Sequence, residues 1–316
     1  MLEYFQLIGG LVLLLIAGDA LVSGAASLAI KFKVSPLLIG LTIIAFGTSA
    51  PELFVSLKAA FNGTPGIAIG NVVGSNIANI LLVLGLPAIF YNMNADNADI
   101  RKNMKIVMFA SLVFIALVLT GLLLWWHGTI LFLGIILFLF FEAKNSHNAR
   151  KNGEYDYSEI QDELDVVPKR GWKITLFILF GITGLPFGAH YLVEGASTIA
   201  LDFGISEAAI GLSIVALGTS LPELAAVFSS VRRKEADLAI GNILGSNLFN
   251  MLAVMGLTSI IHPVAIPSSI INVDIWIMLA VTILLYLVIF RIKKINTIIG
   301  VTFSSLYLIY MYVVLA

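Results

Sequence analysis

The chain has 316 residues, of which 59% are hydrophobic and 12% are charged, and its mean hydropathy is +1.01. A soluble domain is about 45–50% apolar and about 25% charged, so this composition excludes a water-soluble globular protein. The chain has no cysteine and a net charge of -1. These values exclude disulfides and cysteine-ligated metals, and we expect no nucleic-acid partner.

Apolar stretches predict ten transmembrane helices, because one spanning helix needs roughly 20 apolar residues. In chain order the expected spans are 5–30, 36–59, 66–91, 104–124, 129–141, 172–201, 207–231, 236–261, 271–290 and 295–314. The only long connection, residues 142–170, is polar and charged and contains Pro168, so we expect a solvated loop there. The expected division is a first half at 1–142, a loop at 143–170 and a second half at 171–316.

The basic residues orient these spans. Every Lys and Arg except Lys58 lies in a connection that follows an odd-numbered span, or within two residues of such a connection. Because cytoplasmic connections of membrane proteins are enriched in Lys and Arg, we expect both termini outside the cell and the long loop in the cytoplasm.

The chain repeats itself at an offset of 171 residues. The segment IGLTIIAFGTSAPEL at 39–53 matches IGLSIVALGTSLPEL at 210–224, and AIGNVVGSNIAN at 68–79 matches AIGNILGSNLFN at 239–250. Five spans per half is an odd number, so the second half must enter the membrane upside down. The sequence predicts an all-α polytopic membrane protein of two inverted five-helix repeats with interrupted core helices, which is typical of a secondary transporter.

Glu52 and Glu223 lie in the middle of predicted spans, at equivalent positions of the two repeats. A carboxylate there costs roughly 2.5–3.5 kcal/mol, so something must compensate it. Protonation or an ion pair is one explanation, but no Lys or Arg lies inside a span except near an end. A cation from solution is therefore the expected partner.

The neighbouring residues favour the same interpretation. Pro51 lacks an amide hydrogen and leaves the carbonyl of Gly47 without its helical donor, and Pro222 does the same to Gly218. Hydroxyl, amide and carboxylate groups also recur four residues apart on shared helix faces, as Thr48 with Glu52, Thr219 with Glu223, Ser75 with Asn79, and Ser246 with Asn250. Such oxygen ligands suit Ca²⁺, which takes 6–8 of them.

Two further features allow a structural explanation. Glycines four residues apart are expected to be packing faces that bring the polar side chains near the two glutamates; they are Gly70, Gly74, Gly241 and Gly245. Asp19 aligns with His190 in the repeat, and either a hydrogen-bonded structural acid or a role in ion access or proton handling fits its position.

The paired GTSxPE and GNxxGSNxxN segments resemble the two repeats of the cation/calcium antiporter superfamily, most closely its sodium/calcium exchangers of prokaryotic type. The resemblance covers roughly residues 18–86 and 189–257. It implies that Glu52 and Glu223 are Ca²⁺ ligands and that Thr48 and Thr219 supply backbone carbonyls. It further implies carbonyl donors and positions that line the Na⁺ sites, namely Ala45, Ala216, Ser49, Ser75, Asn79, Ser220 and Ser246.

Two departures from the superfamily's patterns bear on the coupling ion. Gly74 and Gly245 stand in the region where calcium/proton antiporters have an acidic residue, which favours Na⁺ as the coupling ion. Asn250 stands where potassium-dependent relatives have Asp, which argues against a K⁺ requirement. It leaves the site with two formal charges.

The expected function is therefore exchange of Na⁺ for Ca²⁺ by alternating access in a prokaryotic cell membrane, with the two ions and the lipid bilayer as the only partners and no cofactor. A Ca²⁺/H⁺ antiporter that uses the same glutamates is the nearest alternative. A cation channel with a glutamate pair as its filter is a second, although the inverted repeat argues against it. An intramembrane enzyme is disfavoured because the sequence shows no pairing of a nucleophile with a base.

Overall fold

The computed structural model describes residues 2–32, 34–63, 65–152, 170–202 and 216–315, which are almost entirely helical. The helices in these ranges are α1 (Leu2–Phe32), α2 (Pro36–Thr48), α3 (Ala50–Phe61), α4 (Pro65–Phe90), α5 (Ala98–Val118), α6 (Trp125–Asn152), α7 (Gly171–Asp202), α8 (Ala216–Gly218), α9 (Leu221–Arg232), α10 (Ala236–Ile261), α11 (Ile270–Ile292) and α12 (Thr297–Leu315). Four two-residue strands lie between helices, namely β1 (Met93–Asn94), β2 (Leu122–Leu123), β3 (Val264–Ala265) and β4 (Lys294–Ile295).

Most of the predicted spans are present as long apolar helices. Within the described ranges, seven helices are long and apolar enough to cross a membrane, and the bent pair α2–α3 provides an eighth. These eight correspond to the first, second, third, fifth, sixth, eighth, ninth and tenth predicted spans. Of the seventh predicted span, 207–231, the structure describes only the part from residue 216 onward, as α8 and α9.

Helix boundaries differ from the prediction around the fourth and fifth spans. Helix α5 begins at Ala98, six residues before the predicted start, because its first turns carry charged residues that a hydropathy criterion rejects. Helix α6 continues to Asn152, so the prediction of a loop from residue 142 was wrong for 142–152. Good helix formers such as Ala and Lys follow Phe141 there, and Glu142 is held by Lys102, with 2.5 Å between Oε1 and Nζ. The rest of the predicted loop, 153–169, lies outside the described residues.

The internal repeat is visible in the element boundaries. Helices α3 and α9 each have 12 residues and α4 and α10 each have 26, and the members of each pair begin 171 residues apart. The short strands exchange partners between the halves: β1 of the first half pairs with β4 of the second, and β2 pairs with β3. Within the described residues these helices of the two halves therefore correspond in length and spacing, and the strands make reciprocal contacts between the halves.

Each half contains a helix break at the repeated GTSxPE segment. Helices α2 and α3 meet at an angle of 43°, and the residue between them, Ser49, has φ -84° and ψ 5°. Ser220 precedes α9 with nearly the same values, φ -90° and ψ 1°. Pro51 and Pro222 occupy the first turn of the helix after the break, a position that proline favours because its missing N–H has no helical partner there.

Helices α1 and α7 form a pair with its own apolar contacts. Glycines allow close approach of the two backbones: a Cβ at Gly181 would lie 2.4 Å from the Cβ of Leu21, and one at Gly10 would lie 2.4 Å from the amide nitrogen of Leu192. A buried cluster joins this pair to α2, α9 and α10, and the remaining helices share a second and larger buried cluster. The pair is thus packed onto the rest of the molecule as a separate layer.

Asp19 is part of this contact layer. Its carboxylate accepts hydrogen bonds from the hydroxyl of Ser229 and from the guanidinium groups of Arg232 and Arg233 at the end of α9. These hydrogen bonds link α1 to the end of α9, which fits the first of the two explanations for Asp19, a hydrogen-bonded structural acid. His190, its equivalent on α7, lies 3.7 Å from a carboxylate oxygen of Glu194 on the same helix.

Candidate functional site

Glu52 and Glu223 are fully buried at the two helix breaks. Each lies three residues after the serine of its own break, in the first turn of α3 and α9. The breaks face each other, because the hydroxyl of Ser49 in the first half donates a hydrogen bond of 3.0 Å to Oε1 of Glu223 in the second. The two carboxylates that the sequence singles out therefore belong to one site.

The site has more acceptor oxygens than donors. Among the described residues, neither carboxylate oxygen of Glu52 has a hydrogen-bond partner, and the same is true of Oε2 of Glu223, the hydroxyl of Ser220 and Oδ1 of Asn79. Buried carboxylates are ordinarily paired or bound to a metal, because an isolated buried charge is very costly. Oxygens of these types, buried without a partner among the described residues, are chemically suited to bind a hard cation.

Backbone carbonyls at the first break add further unpartnered oxygens. Hydrogen bonds run from Ser49 N to the Ala45 carbonyl at 3.0 Å and from Leu53 N to the Ser49 carbonyl at 3.3 Å. Ser49 itself lies in a bend outside the helical hydrogen-bonding pattern, so no N–H at the start of α3 closes a helical turn onto Gly47 or Thr48. The expectation of a released Gly47 carbonyl is therefore met, and the Thr48 carbonyl is available as well. The Ala45 carbonyl also lies 3.4 Å from the hydroxyl of Thr48, so this predicted donor already has protein partners.

The second half shows the corresponding break in part. Ser220 N donates to the Leu217 carbonyl at 3.0 Å, and Leu224 N donates to the Ser220 carbonyl at 3.1 Å. The Thr219 hydroxyl lies 3.5 Å from Oδ1 of Asn71 on α4. Ala216, the predicted carbonyl donor of this half, begins α8, and its side chain lies outside the described part of the structure.

Four further predicted residues line α4 and α10, the helices that follow the breaks. Ser75, Ser246, Asn79 and Asn250 are all buried. Asn79 begins a π-helical turn, Asn79–Leu84, and Asn250 lies in the corresponding turn, Phe249–Val254. Turns of this kind occur often at functional sites. Neither polar atom of the Asn250 side chain has a partner among the described residues.

Four other asparagines, which were not among the predicted site residues, connect the two halves. Asn79 Nδ2 donates to Oδ1 of Asn247 at 3.1 Å, and Asn247 Nδ2 lies 3.5 Å from the carbonyl of Asn76. Asn71 and Asn242 contact the threonines of the breaks. All four are identical between the repeats, and this identity is the signal that could have found them.

The glycines next to these asparagines have the packing role that the sequence predicts, where the structure describes their neighbours. A Cβ at Gly241 would lie 2.6 Å from the Leu37 carbonyl oxygen, and one at Gly245 would lie 2.5 Å from that of Leu41. These two positions therefore let α10 approach the backbone of α2. Nothing in the described ranges lies within 4 Å of a Cβ at Gly70 or Gly74, and most of the segment equivalent to α2 falls outside those ranges.

Comparisons with known proteins agree with this architecture. A family model described as sodium/calcium exchanger protein matches residues 2–144 and 173–316. The putative antiporter CaxA of Alkalimonas amylolytica is 39% identical over 289 residues, which cover 92% of this chain and 90% of that protein. The sodium/calcium exchanger MaX1 of Methanosarcina acetivorans is 29% identical over 314 residues, which cover 90% of each.

A solved structure of the sodium-calcium exchanger NCX_Mj, soaked with Na⁺ and Ca²⁺, is similar along nearly the whole chain. Its TM-score is 0.85 at 30% sequence identity, and the match covers 99% of this chain and 98% of that one. A transporter of this kind is an antiporter embedded in a membrane and not an enzyme. The chain therefore belongs to the sodium/calcium exchanger protein family.

Proposed function

We propose that this chain exchanges Na⁺ for Ca²⁺ across a prokaryotic cell membrane by alternating access. The observation that carries the proposal is the pair of fully buried carboxylates, Glu52 and Glu223, with oxygens that have no partner among the described residues. Two negative charges neutralise one Ca²⁺ or two Na⁺, so both ions compete for the same groups. Occluding an empty site would bury two uncompensated carboxylate charges at a high cost in free energy. The transition between the two access states therefore requires bound ions.

The proposed ligands are the twelve residues that the repeat and the resemblance point to. Glu52 and Glu223 bind Ca²⁺ together with the carbonyls of Thr48 and Thr219. The Na⁺ sites use the remaining polar side chains and carbonyls around them, namely Ala45, Ala216, Ser49, Ser220, Ser75, Ser246, Asn79 and Asn250. Hard oxygen donors of this kind suit both ions.

Sodium is proposed as the coupling ion because the site contains only two acidic residues. Gly74 and Gly245 replace the acidic side chain expected of a proton-coupled antiporter, and Asn250 is neutral. The test is Ca²⁺ uptake into proteoliposomes with outward Na⁺, K⁺ or H⁺ gradients imposed separately. Uptake that requires the Na⁺ gradient and persists with a protonophore supports the proposal. Uptake that ignores Na⁺ and vanishes with the protonophore would replace it with Ca²⁺/H⁺ exchange.

We also propose that ten helices span the membrane as two five-helix repeats of opposite orientation, with both termini outside and residues 153–169 on the cytoplasmic side. The placement of Lys and Arg and the 171-residue repeat support this arrangement. In this arrangement the turn after α3 and the equivalent turn after α9 lie on opposite sides. These turns have matching backbones, since Gly63 has φ 72° and Lys234, its equivalent, has φ 61°.

Because the chain has no cysteine, single cysteines can be introduced directly to test the orientation. Asn62→Cys and Lys234→Cys place a thiol in the two equivalent turns, which are exposed in the described structure. A membrane-impermeant maleimide added to intact cells is expected to label Asn62→Cys and to spare Lys234→Cys until the membrane is opened. Labelling of both from the same side would refute the inverted arrangement.

A further inference from the structure

Asn71 and Asn242 occupy equivalent positions on α4 and α10, and each reaches the helix break of the opposite half. Oδ1 of Asn242 lies 3.4 Å from the hydroxyl of Thr48, and Oδ1 of Asn71 lies 3.5 Å from the hydroxyl of Thr219. The two contacts are long for hydrogen bonds, but they involve the same atoms in both halves. Thr48 and Asn242 are fully buried, so water does not satisfy these groups instead.

Close helix packing fixes the contact between Thr48 and Asn242. Gly241 and Gly245 flank Asn242 and bring α10 against the backbone of α2, as shown by the 2.6 Å and 2.5 Å from their Cβ positions to carbonyl oxygens of that helix. This packing keeps the backbone of Asn242 beside α2, within reach of Thr48. Its Oδ1 also lies 3.4 Å from the hydroxyl of Ser246, one turn further along α10.

Asn71 is held even more firmly in the first half. Its Nδ2 donates to the backbone carbonyl of Glu52 at 3.2 Å and to the hydroxyl of Ser56 at 3.0 Å. One side chain therefore connects the helix that carries one glutamate to the break of the other half. Asn242 lacks the second of these partners, because Val227 is the equivalent of Ser56, and its Nδ2 has no partner among the described residues.

We propose that Asn71 and Asn242 are positioning residues, each of which fixes the threonine at the helix break of the opposite half so that its backbone carbonyl faces the ion. Thr48 has a backbone carbonyl without a backbone donor, and its side chain is what holds this carbonyl in place. This inference rests on the proposed function, since it assigns a purpose to the carbonyl ligands. It adds two asparagines that bind no ion and act through another residue.

The test is a double-mutant cycle between Thr48 and Asn242. Thr48→Val, Asn242→Leu and the double variant are compared by the Ca²⁺ concentration that gives half-maximal uptake and by the maximal rate. Loss of one buried hydrogen bond is expected to raise the half-saturating Ca²⁺ concentration about two- to tenfold. The double variant should be no weaker than Asn242→Leu alone, because the second substitution removes a contact that is already lost.

Two further variants separate positioning from general damage. Thr258→Val removes a buried hydroxyl whose one hydrogen bond within the described residues is to a backbone carbonyl of its own helix, at 2.7 Å. This variant should leave the half-saturating concentration unchanged. Thr48→Ser keeps the hydroxyl and should recover most of the affinity that Thr48→Val loses. The cycle of Thr219→Val with Asn71→Leu is expected to behave in the same way.

Additive effects in the cycle, or a fall in maximal rate with unchanged half-saturation, would overturn the inference. The same cycle is measured by equilibrium Ca²⁺ binding to purified protein, which does not depend on the coupling ion. If wild-type uptake ignores Na⁺ while the binding cycle remains non-additive, the proposed coupling fails and the positioning role stands. If the wild-type protein binds no Ca²⁺, both proposals fail.

Discussion

Replacing one site glutamate by glutamine should damage Ca²⁺ handling far more than Na⁺ handling. The perturbation removes one of two buried charges and keeps the size of the side chain. With an ion–oxygen distance of about 2.4 Å and an effective dielectric constant of about 20, the attraction between one carboxylate charge and Ca²⁺ is about 14 kcal/mol, against about 7 kcal/mol for Na⁺ at the same distance. Most of this attraction is cancelled by the loss of ion hydration.

Even a fifth of the Ca²⁺ value, about 2.8 kcal/mol, corresponds to a loss of affinity of about 100-fold. Half of that energy for Na⁺ corresponds to about 10-fold. We therefore expect Glu52→Gln and Glu223→Gln to abolish Na⁺-driven Ca²⁺ uptake at micromolar Ca²⁺ while Na⁺ binding, followed by calorimetry, is weakened much less.

A control for this experiment is Glu194→Gln. Glu194 is an exposed glutamate on α7, 3.7 Å from His190, and has no part in the site. This variant should exchange Ca²⁺ like the wild type. All variants must insert in the membrane at comparable levels. Wild-type exchange by the Glu52→Gln, Glu223→Gln double variant would refute the site, and equal losses of Na⁺ and Ca²⁺ binding would refute the charge argument.

Protons and Ca²⁺ should compete for the same two carboxylates, so acid should inhibit Ca²⁺ uptake and a higher Ca²⁺ concentration should relieve the inhibition. Profiles of uptake against pH that do not shift as Ca²⁺ is raised would contradict this competition. Asp19→Asn removes the negative charge that pairs with Arg232 and Arg233. It should lower the unfolding temperature in detergent and leave the half-saturating Ca²⁺ concentration unchanged. An unchanged unfolding temperature with loss of Ca²⁺ uptake would instead assign Asp19 a role in ion access. Deleting residues within 153–169 should preserve exchange in proteoliposomes, since this segment holds no proposed ligand. Ca²⁺ uptake that no longer depends on the Na⁺ gradient would contradict this prediction.

Composition and the internal repeat predict most of the fold, because both depend on residue types and not on tertiary detail. Glu52 and Glu223 stand out for the same reason: a carboxylate at mid-span demands an explanation wherever its helix packs. Helix ends are harder. The apolar part of α6 ends near Phe141, but the helix continues through Glu142. The ion pair with Lys102 and residues of good helix propensity stabilise this continuation, and a hydropathy profile records neither of them.

The asparagines of the two halves were harder to assign than the glutamates. Asn71 and Asn242 are neutral, and a buried amide is satisfied by many kinds of partner. Only the structure shows that their acceptor atoms face the threonines of the opposite half. Contacts of this kind join residues that are 148 and 194 positions apart in the chain, so no local pattern encodes them.

Two asymmetries of the site have different origins. Ser56 holds Asn71, whereas Val227 at the equivalent position cannot hold Asn242; this difference lies in the composition of the chain and persists in every conformation.

The second asymmetry has no counterpart in composition. Ser49 donates to Glu223, whereas the hydroxyl of Ser220 has no partner in the described structure, although the repeat makes the pair of Ser220 and Glu52 equivalent in sequence. Because the same residue types form this contact in one half and not in the other, the difference reflects the conformation of the protein in this structure. Under the proposed alternating access, we expect the opposite-facing state to be the one in which Ser220 donates to Glu52 and Oε1 of Glu223 is released, so that the two halves exchange roles.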